Sequence, residues 1–74
     1  MKQLPLKHNP DMIKKAAQYC GSIHKLALAI NVNRVTVSKW IAGDNPPSAE
    51  SCMKIERATN GHVRRWHIRE DIMW

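Results

Sequence analysis

The chain has 74 residues, which is enough for one small domain, and a chain of this length buries only about 60% of its unfolded surface. Its formal net charge is +6, and the excess lies in residues 1–43, which hold seven lysine and arginine residues against one acid, whereas residues 44–74 hold five basic and five acidic residues. This distribution favours a polyanionic partner such as nucleic acid, and the longest apolar stretch is far too short to cross a membrane.

The chain begins with a segment, residues 1–8, that has no helical period of apolar residues and contains Pro5. We interpret it as a flexible arm. A first helix is predicted over residues 10–20, because Asn9 can cap it, a proline follows in the first turn, and Gly21 can end it. Its apolar residues recur at helical spacing: Ile13, Ala16, Ala17 and Cys20.

Two further helices, joined by a tight turn, are predicted within residues 22–43. Ser22 can cap the first of them, and Asn31 tolerates the left-handed conformation that ends a helix. Asn33 can then cap the second, which Gly43 closes. The residues predicted to face inward are Ile23, Leu26, Ala27 and Ile30 in the first helix, and Val37, Trp40 and Ile41 in the second.

Beyond a rigid turn at residues 44–47, Ser48 is predicted to cap a fourth helix that residues 59–61 close. This helix can pack behind the preceding pair through Cys52, Ile55 and Ala58. A last short helix is predicted over residues 64–68. The C-terminal residues Trp66, Ile68, Ile72, Met73 and Trp74 are unusually apolar, so they either cover the core or contact a second subunit.

These elements predict an all-α fold, a compact bundle of four to five short helices that contains a helix-turn-helix. We divide the chain into a flexible N-terminal arm (residues 1–8), a helix-turn-helix DNA-binding domain (residues 9–63) and a C-terminal short helix and tail (residues 64–74). The second helix of such a motif enters the DNA major groove.

The outer face of that second helix carries the residues predicted to read bases. Arg34 can make a bidentate pair with guanine O6 and N7, and Lys39 can reach a guanine or a phosphate. Val35 offers an apolar contact to a thymine methyl group, and the Ser38 hydroxyl can bond to several base edges. Simple exposure to solvent is the alternative interpretation of each side chain.

Two sequence strings resemble a known family. L-A-x-A-I-N-V-x-x-x-T-V-S-K-W-I-x-G, at residues 26–43, resembles the helix-turn-helix of Cro/cI-type phage and bacterial repressors. P-P-S-A-E-x-C-x-x-I-E-x-A-T-N-G-x-V, at residues 46–63, is similar to the narrower Cro/YdaS-like group of prophage regulators. The family usually has glycine at the turn where this chain has Asn31. The resemblance implies a lambda-repressor-like DNA-binding domain that regulates transcription, and we expect repression.

In the geometry of these repressors, the N-terminal region of the first motif helix and the loop after the second approach the phosphate backbone. The resemblance therefore implies contacts with phosphates for Ser22, His24, Lys25 and Asn45. Thr36 is better placed for a phosphate than for a base. Lys14 is a further candidate for phosphate contact, with simple exposure to solvent as the alternative interpretation. Repressors of this class commonly bind DNA as dimers. We expect a homodimer on double-stranded operator DNA, with these contact residues in the tail: Trp66, Ile68, Ile72 and Trp74.

Catalysis is not expected. The sequence has no cysteine–histidine cluster with zinc-ligand spacing, no glycine-rich phosphate loop and no nucleophile elbow. We therefore predict no metal, no cofactor and no small-molecule substrate. Cys20 and Cys52 fall at apolar helical positions and do not indicate a disulfide. Residues 1–8 lack the apolar run of a signal peptide, so we expect a cytoplasmic protein of a bacterial or phage-infected host cell.

One alternative function remains open from the sequence. A YdaS-like antitoxin, or another protein-interaction module, can use the same fold to bind a partner protein. Such a module is expected to have an acidic or apolar outer face on the second motif helix. In this chain that face is basic and polar, since it is formed by Arg34, Val35, Ser38 and Lys39. The sequence does not separate a phage Cro role from this alternative, and it does not give the operator sequence.

Overall fold

The computed structural model describes residues 8–74, and the expected N-terminal arm therefore lies outside the described residues except for His8. The described chain is helical, with no strand in residues 8–74, which confirms the all-α prediction. The five helices are α1 (Pro10–Cys20), α2 (Ile23–Ile30), α3 (Arg34–Ala42), α4 (Ala49–Ala58) and α5 (Arg65–Ile68). None of them is long and apolar enough to cross a membrane.

The first four helices begin at the predicted capping residues. The Asn33 side chain accepts a hydrogen bond from the backbone N–H of Val35 at 2.8 Å, and Ser22 Oγ accepts one from Lys25 N–H at 3.1 Å. Asn9 and Ser48 cap α1 and α4 in the same way. Each cap satisfies an N–H group that the first turn of a helix leaves without a partner.

The end of α2 shows how the chain accommodates asparagine at the turn. Asn31 has φ 60° and ψ 48°, in the left-handed region, and its backbone N–H donates to the carbonyl oxygens of Ala27 and Leu28. Asparagine is one of the few residues besides glycine that adopt this conformation readily. The turn that separates α2 from α3 therefore forms without glycine.

The core lies where α1 packs against α2, α3 and α5, and where α2 packs against α3 and α4. The apolar residues that form this core come from all five helices and from the loop before α5: Ile13, Ala16, Ala17, Leu26, Ala27, Ile30, Val37, Trp40, Cys52, Ile55, Val63 and Ile68. Of the residues predicted to face inward, Cys20, Ile41 and Ala58 are only partly buried, and Ile23 is 36% exposed.

The N-terminal end of the described chain is tied to two distant elements. His8 is buried, and its Nε2–H donates to the carbonyl oxygen of Trp40 at 2.7 Å. The next residue, Asn9, donates its backbone N–H to the carbonyl oxygen of Ile68, also at 2.7 Å. His8 therefore belongs to the folded domain, although the sequence placed it in the arm.

The tail places one residue of the expected dimer contact inside the core. Ile68 is fully buried in its own chain, so its side chain is covered in the single chain, and the dimer contact stays a prediction. The tail after it folds back on α5: Trp74 Nε1–H donates to the Arg69 carbonyl at 2.9 Å. Arg69 in turn pairs with Asp71 at 2.6 Å and donates to the carbonyl oxygen of Pro47 at 3.2 Å.

Candidate nucleic-acid interface

One face of helix α3 is exposed to solvent, and the opposite face is buried in the core. Val37 and Trp40 are buried between α3 and its neighbours. The four residues predicted to read bases are all exposed, because positions i, i+1, i+4 and i+5 lie on one side of a helix. They are Arg34, Val35, Ser38 and Lys39. The apolar Val35 is 55% exposed, so it can contact a partner without any rearrangement of the core.

The start of α2 adds polar groups at a helix N-terminus. Ser22, His24 and Lys25 are exposed there. The Lys25 side chain lies against Gly21, since a Cβ atom at Gly21 would be 3.0 Å from Lys25 Cδ and 3.4 Å from Nζ. The lysine charge and the positive end of the helix dipole both favour a bound anion at this end of α2.

A shallow groove joins three helices next to this helix start. Lys14 and Gln18 of α1 line it together with Ser22, Ile23 and Ile41. The structure thus brings Lys14 and Ser22, two residues predicted to contact phosphate, to one surface. Gln18 lies one helical turn after Lys14, and this spacing places both side chains on the same face of α1.

The remaining two candidates lie at either end of α3. Thr36 is half-buried in its first turn, and Asn45 is exposed in the loop that follows it. Asn45 does not line the groove of Lys14 and Ser22. The six candidates for phosphate contact therefore occupy the start of α2 with the neighbouring α1 surface, the first turn of α3, and the loop after α3.

The ion pairs within residues 8–74 involve arginines of the C-terminal half and no basic residue of α1, α2 or α3. Within residues 8–74, the ion pairs are Arg64–Glu56, Arg65–Glu56 and Arg69–Asp71. None of them involves a basic residue of the first three helices, and neither α2 nor α3 has an acid in its first turn. Lys14, Lys25, Arg34 and Lys39 can therefore pair with an external anion without breaking a described ion pair.

His8 is the structural residue that the sequence interpretation missed at this site. Its hydrogen bond to the Trp40 carbonyl fastens the last turn of α3 to the residues that precede α1. A lone histidine 32 positions away gives no local signal of such a contact. It stabilises the helix that carries the candidate base-reading residues without lying on their face.

No group of three or more histidine, cysteine, aspartate or glutamate side chains in residues 8–74 is arranged to hold a metal ion. Cys20 and Cys52 are both free thiols. Burial raises the pKa of the Cys52 thiol to about 11, an effect that the nearby Arg69 charge partly opposes and that of Asp71 reinforces. The Cys52 side chain therefore stays protonated at neutral pH and behaves as part of the core.

Comparison with known proteins identifies relatives for most of the chain. The family described as "Bacterial toxin YdaS" matches residues 13–74. The Escherichia coli (strain K12) protein named "Putative transcriptional regulator YdaS" is 38% identical over 61 residues, which are 82% of this chain and 62% of that protein. The chain thus spans less than two thirds of that relative's length. No solved structure matches the chain.

Proposed function

The chain belongs to the YdaS family, and from this premise we propose that it is a sequence-specific double-stranded DNA-binding protein that regulates transcription. The family description names a toxin, whereas the name of the Escherichia coli relative describes a regulator. The outer face of α3 favours the regulator. It combines two cations without a described ion pair, one exposed aliphatic side chain and one hydroxyl, which together can read base edges.

The proposed recognition step places α3 in the major groove. Arg34 makes a bidentate pair with a guanine, and Lys39 reaches a guanine or a nearby phosphate. Val35 packs against a thymine methyl group, and Ser38 bonds to a base edge. Because the buried Val37 and Trp40 hold the helix in place, little side-chain packing has to change when DNA binds.

The proposed phosphate contacts fix how the domain sits on the duplex. Four of these contacts come from α1 and from the start of α2: Lys14, Ser22, His24 and Lys25. Thr36 lies in the first turn of α3, and Asn45 lies beyond the C-terminal end of that helix. Contacts of this kind are independent of sequence, and they make binding depend steeply on salt concentration. The protein is proposed to act by binding DNA alone. In this proposal it represses transcription because the bound protein blocks access to a promoter.

We also propose that two copies bind the operator together, as two half-sites would require. With Ile68 in the core, the residues left for such a contact are Trp66, Ile72, Met73 and Trp74. Met73 is fully exposed and Trp74 is 40% exposed. Sedimentation with operator DNA tests this proposal: Met73→Ser with Trp74→Ala should reduce the two-copy complex, and an unchanged complex would contradict it.

Selection of binding sites from a randomised duplex library tests the main proposal. The wild-type protein should enrich one sequence motif, and Arg34→Ala should lose the preference at one base position, worth about 1–3 kcal/mol of discrimination. Lys15→Ala is the matched control, because Lys15 is an exposed helical cation outside the proposed interface. Failure to enrich any motif, or an identical motif with Arg34→Ala, would contradict the proposal.

A further inference from the structure

A second groove lies on the part of the molecule built by α4 and α5. Its walls include Met53 and Arg57 on the outer face of α4, Gly61 in the turn after that helix, Arg64 just before α5 and Trp66 within α5. Its volume is about 550 Å³, which is in the range that holds several side chains of a ligand. The candidate DNA interface does not use these residues.

Apolar surface is exposed in this groove. Met53 is 38% exposed and Trp66 is 41% exposed. Gly61 has φ 82°, and a Cβ atom there would lie 3.2 Å from Arg64 Cζ. The glycine therefore lets the Arg64 side chain lie close to the turn, where a larger residue would displace it. A large exposed tryptophan beside methionine is typical of a surface that contacts another protein.

The groove also has an excess of positive charge. Three arginines line it with one acid, Glu56. The Glu56 carboxylate serves two of them, at 3.4 Å from Arg64 and 3.2 Å from Arg65. Arg57 makes no ion pair within residues 8–74, and the Arg64 side chain is 51% exposed. One carboxylate thus pairs with two of the three arginines that line the groove, which leaves positive charge for carboxylates from a partner.

Stacking on tryptophan holds the groove in a defined shape. The guanidinium groups of Arg64 and Arg65 lie 5.7 and 5.6 Å from the ring centroid of Trp66. Arg65 is also 5.5 Å from the centroid of Trp74. Cation–π contacts at these distances are attractive. Contacts of this kind restrict the arginine and tryptophan side chains before a ligand binds, which lowers the conformational entropy lost on binding.

We propose that this groove binds an acidic segment of another protein, one that carries large apolar side chains between carboxylates. The carboxylates pair with Arg57 and Arg64, and the apolar side chains pack on Met53 and Trp66. A protein fits better than DNA, because its apolar side chains can pack on the exposed Met53 and Trp66, whereas phosphates would gain nothing from Met53. The inference goes beyond DNA binding and does not depend on it, since α3 packs on α1 and α2, away from this groove.

A defined peptide tests the proposal by fluorescence anisotropy. The probe is a fluorescein-labelled peptide of sequence EEDLLEWLEE, and two controls replace its leucines and tryptophan with glycine or its acids with lysine. We expect the probe to bind and both controls to fail. Arg57→Glu should weaken binding about tenfold or more, which corresponds to about 1.4 kcal/mol. Lys15→Glu makes the same charge change on another exposed helix face and should weaken binding much less.

Amide chemical shifts locate the bound peptide. We expect shifts at Met53, Gly61 and Trp66, little change along α3, and no displacement of the peptide by duplex DNA. Absence of binding, equal weakening by Lys15→Glu, or equal binding of the glycine control would overturn the proposal. Displacement by DNA would instead assign the groove to nucleic acid, and concentration-dependent shifts there without peptide would assign it to a second copy of the chain. We expect Arg57→Glu to leave DNA binding unchanged. Failure of the peptide test would therefore not contradict the proposed DNA binding, and failure of the Arg34→Ala test would not contradict the proposed peptide site.

Discussion

His8 donates a hydrogen bond from Nε2 to the carbonyl oxygen of Trp40, 2.7 Å away and 32 positions along the chain. The bond is buried, and it joins the segment that precedes α1 to the last turn of α3. Asn9 continues the connection to the carbonyl oxygen of Ile68. Helix α3 carries the candidate base-reading face, and Ile68 lies at the start of the tail. Both are thus hydrogen-bonded to the adjacent residues His8 and Asn9.

Loss of this contact should destabilise the domain. We expect His8→Ala to lower the free energy of unfolding by about 1–3 kcal/mol, because a buried hydrogen bond is lost together with the packing of the ring. The Trp40 carbonyl keeps its bond from Gly43 N–H, which limits the loss. Urea unfolding followed by circular dichroism measures the effect. His24→Ala, at an exposed histidine, should change the stability by less than about 0.5 kcal/mol, and equal stability of the two variants would contradict the account.

Asn31 should tolerate glycine but not a β-branched residue. Its φ of 60° is open to glycine without strain, so Asn31→Gly should be nearly neutral, whereas Asn31→Val should cost about 1–2 kcal/mol. Thermal unfolding of the two variants beside the wild type measures the difference. A stable Asn31→Val protein would show that the left-handed turn between α2 and α3 is not required.

The helix boundaries could be predicted because their causes are local. Asn9, Ser22, Asn33 and Ser48 cap the helices that they were predicted to cap, and Asn31 ends α2 in the left-handed conformation. Each of these contacts joins residues within four positions of one another. The pattern of apolar residues likewise placed most of the core, since helical spacing decides which side chains share a face.

Contacts between distant residues could not be predicted in the same way. Nothing local pairs His8 with Trp40, and nothing in the tail distinguishes the buried Ile68 from the half-buried Ile72. The choice between them depends on where α5 docks. For the candidate site, spacing predicted which residues of α3 are exposed. The grouping of Lys14 with Gln18 and Ser22 needed the packing of three helices.

The two tail isoleucines should respond differently to the same change. Ile68→Val removes a methylene from a fully buried side chain and should cost about 0.5–1.5 kcal/mol. Ile72→Val, at a half-buried position, should cost less. Urea unfolding of both variants tests this difference.

The two cysteines should differ in reactivity. Burial raises the pKa of Cys52 to about 11, so its thiolate is scarce near pH 8. An aromatic disulfide reagent should therefore modify the half-buried Cys20 first in the folded protein. Cys52 should react at a comparable rate only when the protein is unfolded in urea. Rapid modification of Cys52 in the folded protein, identified by mass spectrometry, would contradict its place in the core.

The raised pKa of Cys52 also predicts how stability depends on pH. The thiol ionises at its ordinary value of 9.0 in the unfolded chain but at about 11 in the folded one. Its contribution to stability is therefore fully present below pH 9 and is lost as the pH rises through 11. Unfolding of wild type and Cys52→Ala across this range isolates the effect from lysine and tyrosine titration. Parallel curves for the two proteins would exclude it.

The most direct test of the proposed function is a fluorescence-anisotropy titration against the DNA upstream of the protein's own gene and a scrambled copy, at several salt concentrations. A repressor of its own promoter should bind the native sequence about a thousandfold or more tightly than the scrambled copy, with a steep dependence on salt. Lys14→Ala should weaken binding to both sequences alike and lower the salt slope. Weak, equal binding to both duplexes, unchanged by Arg34→Ala, would contradict the account that α3 reads DNA.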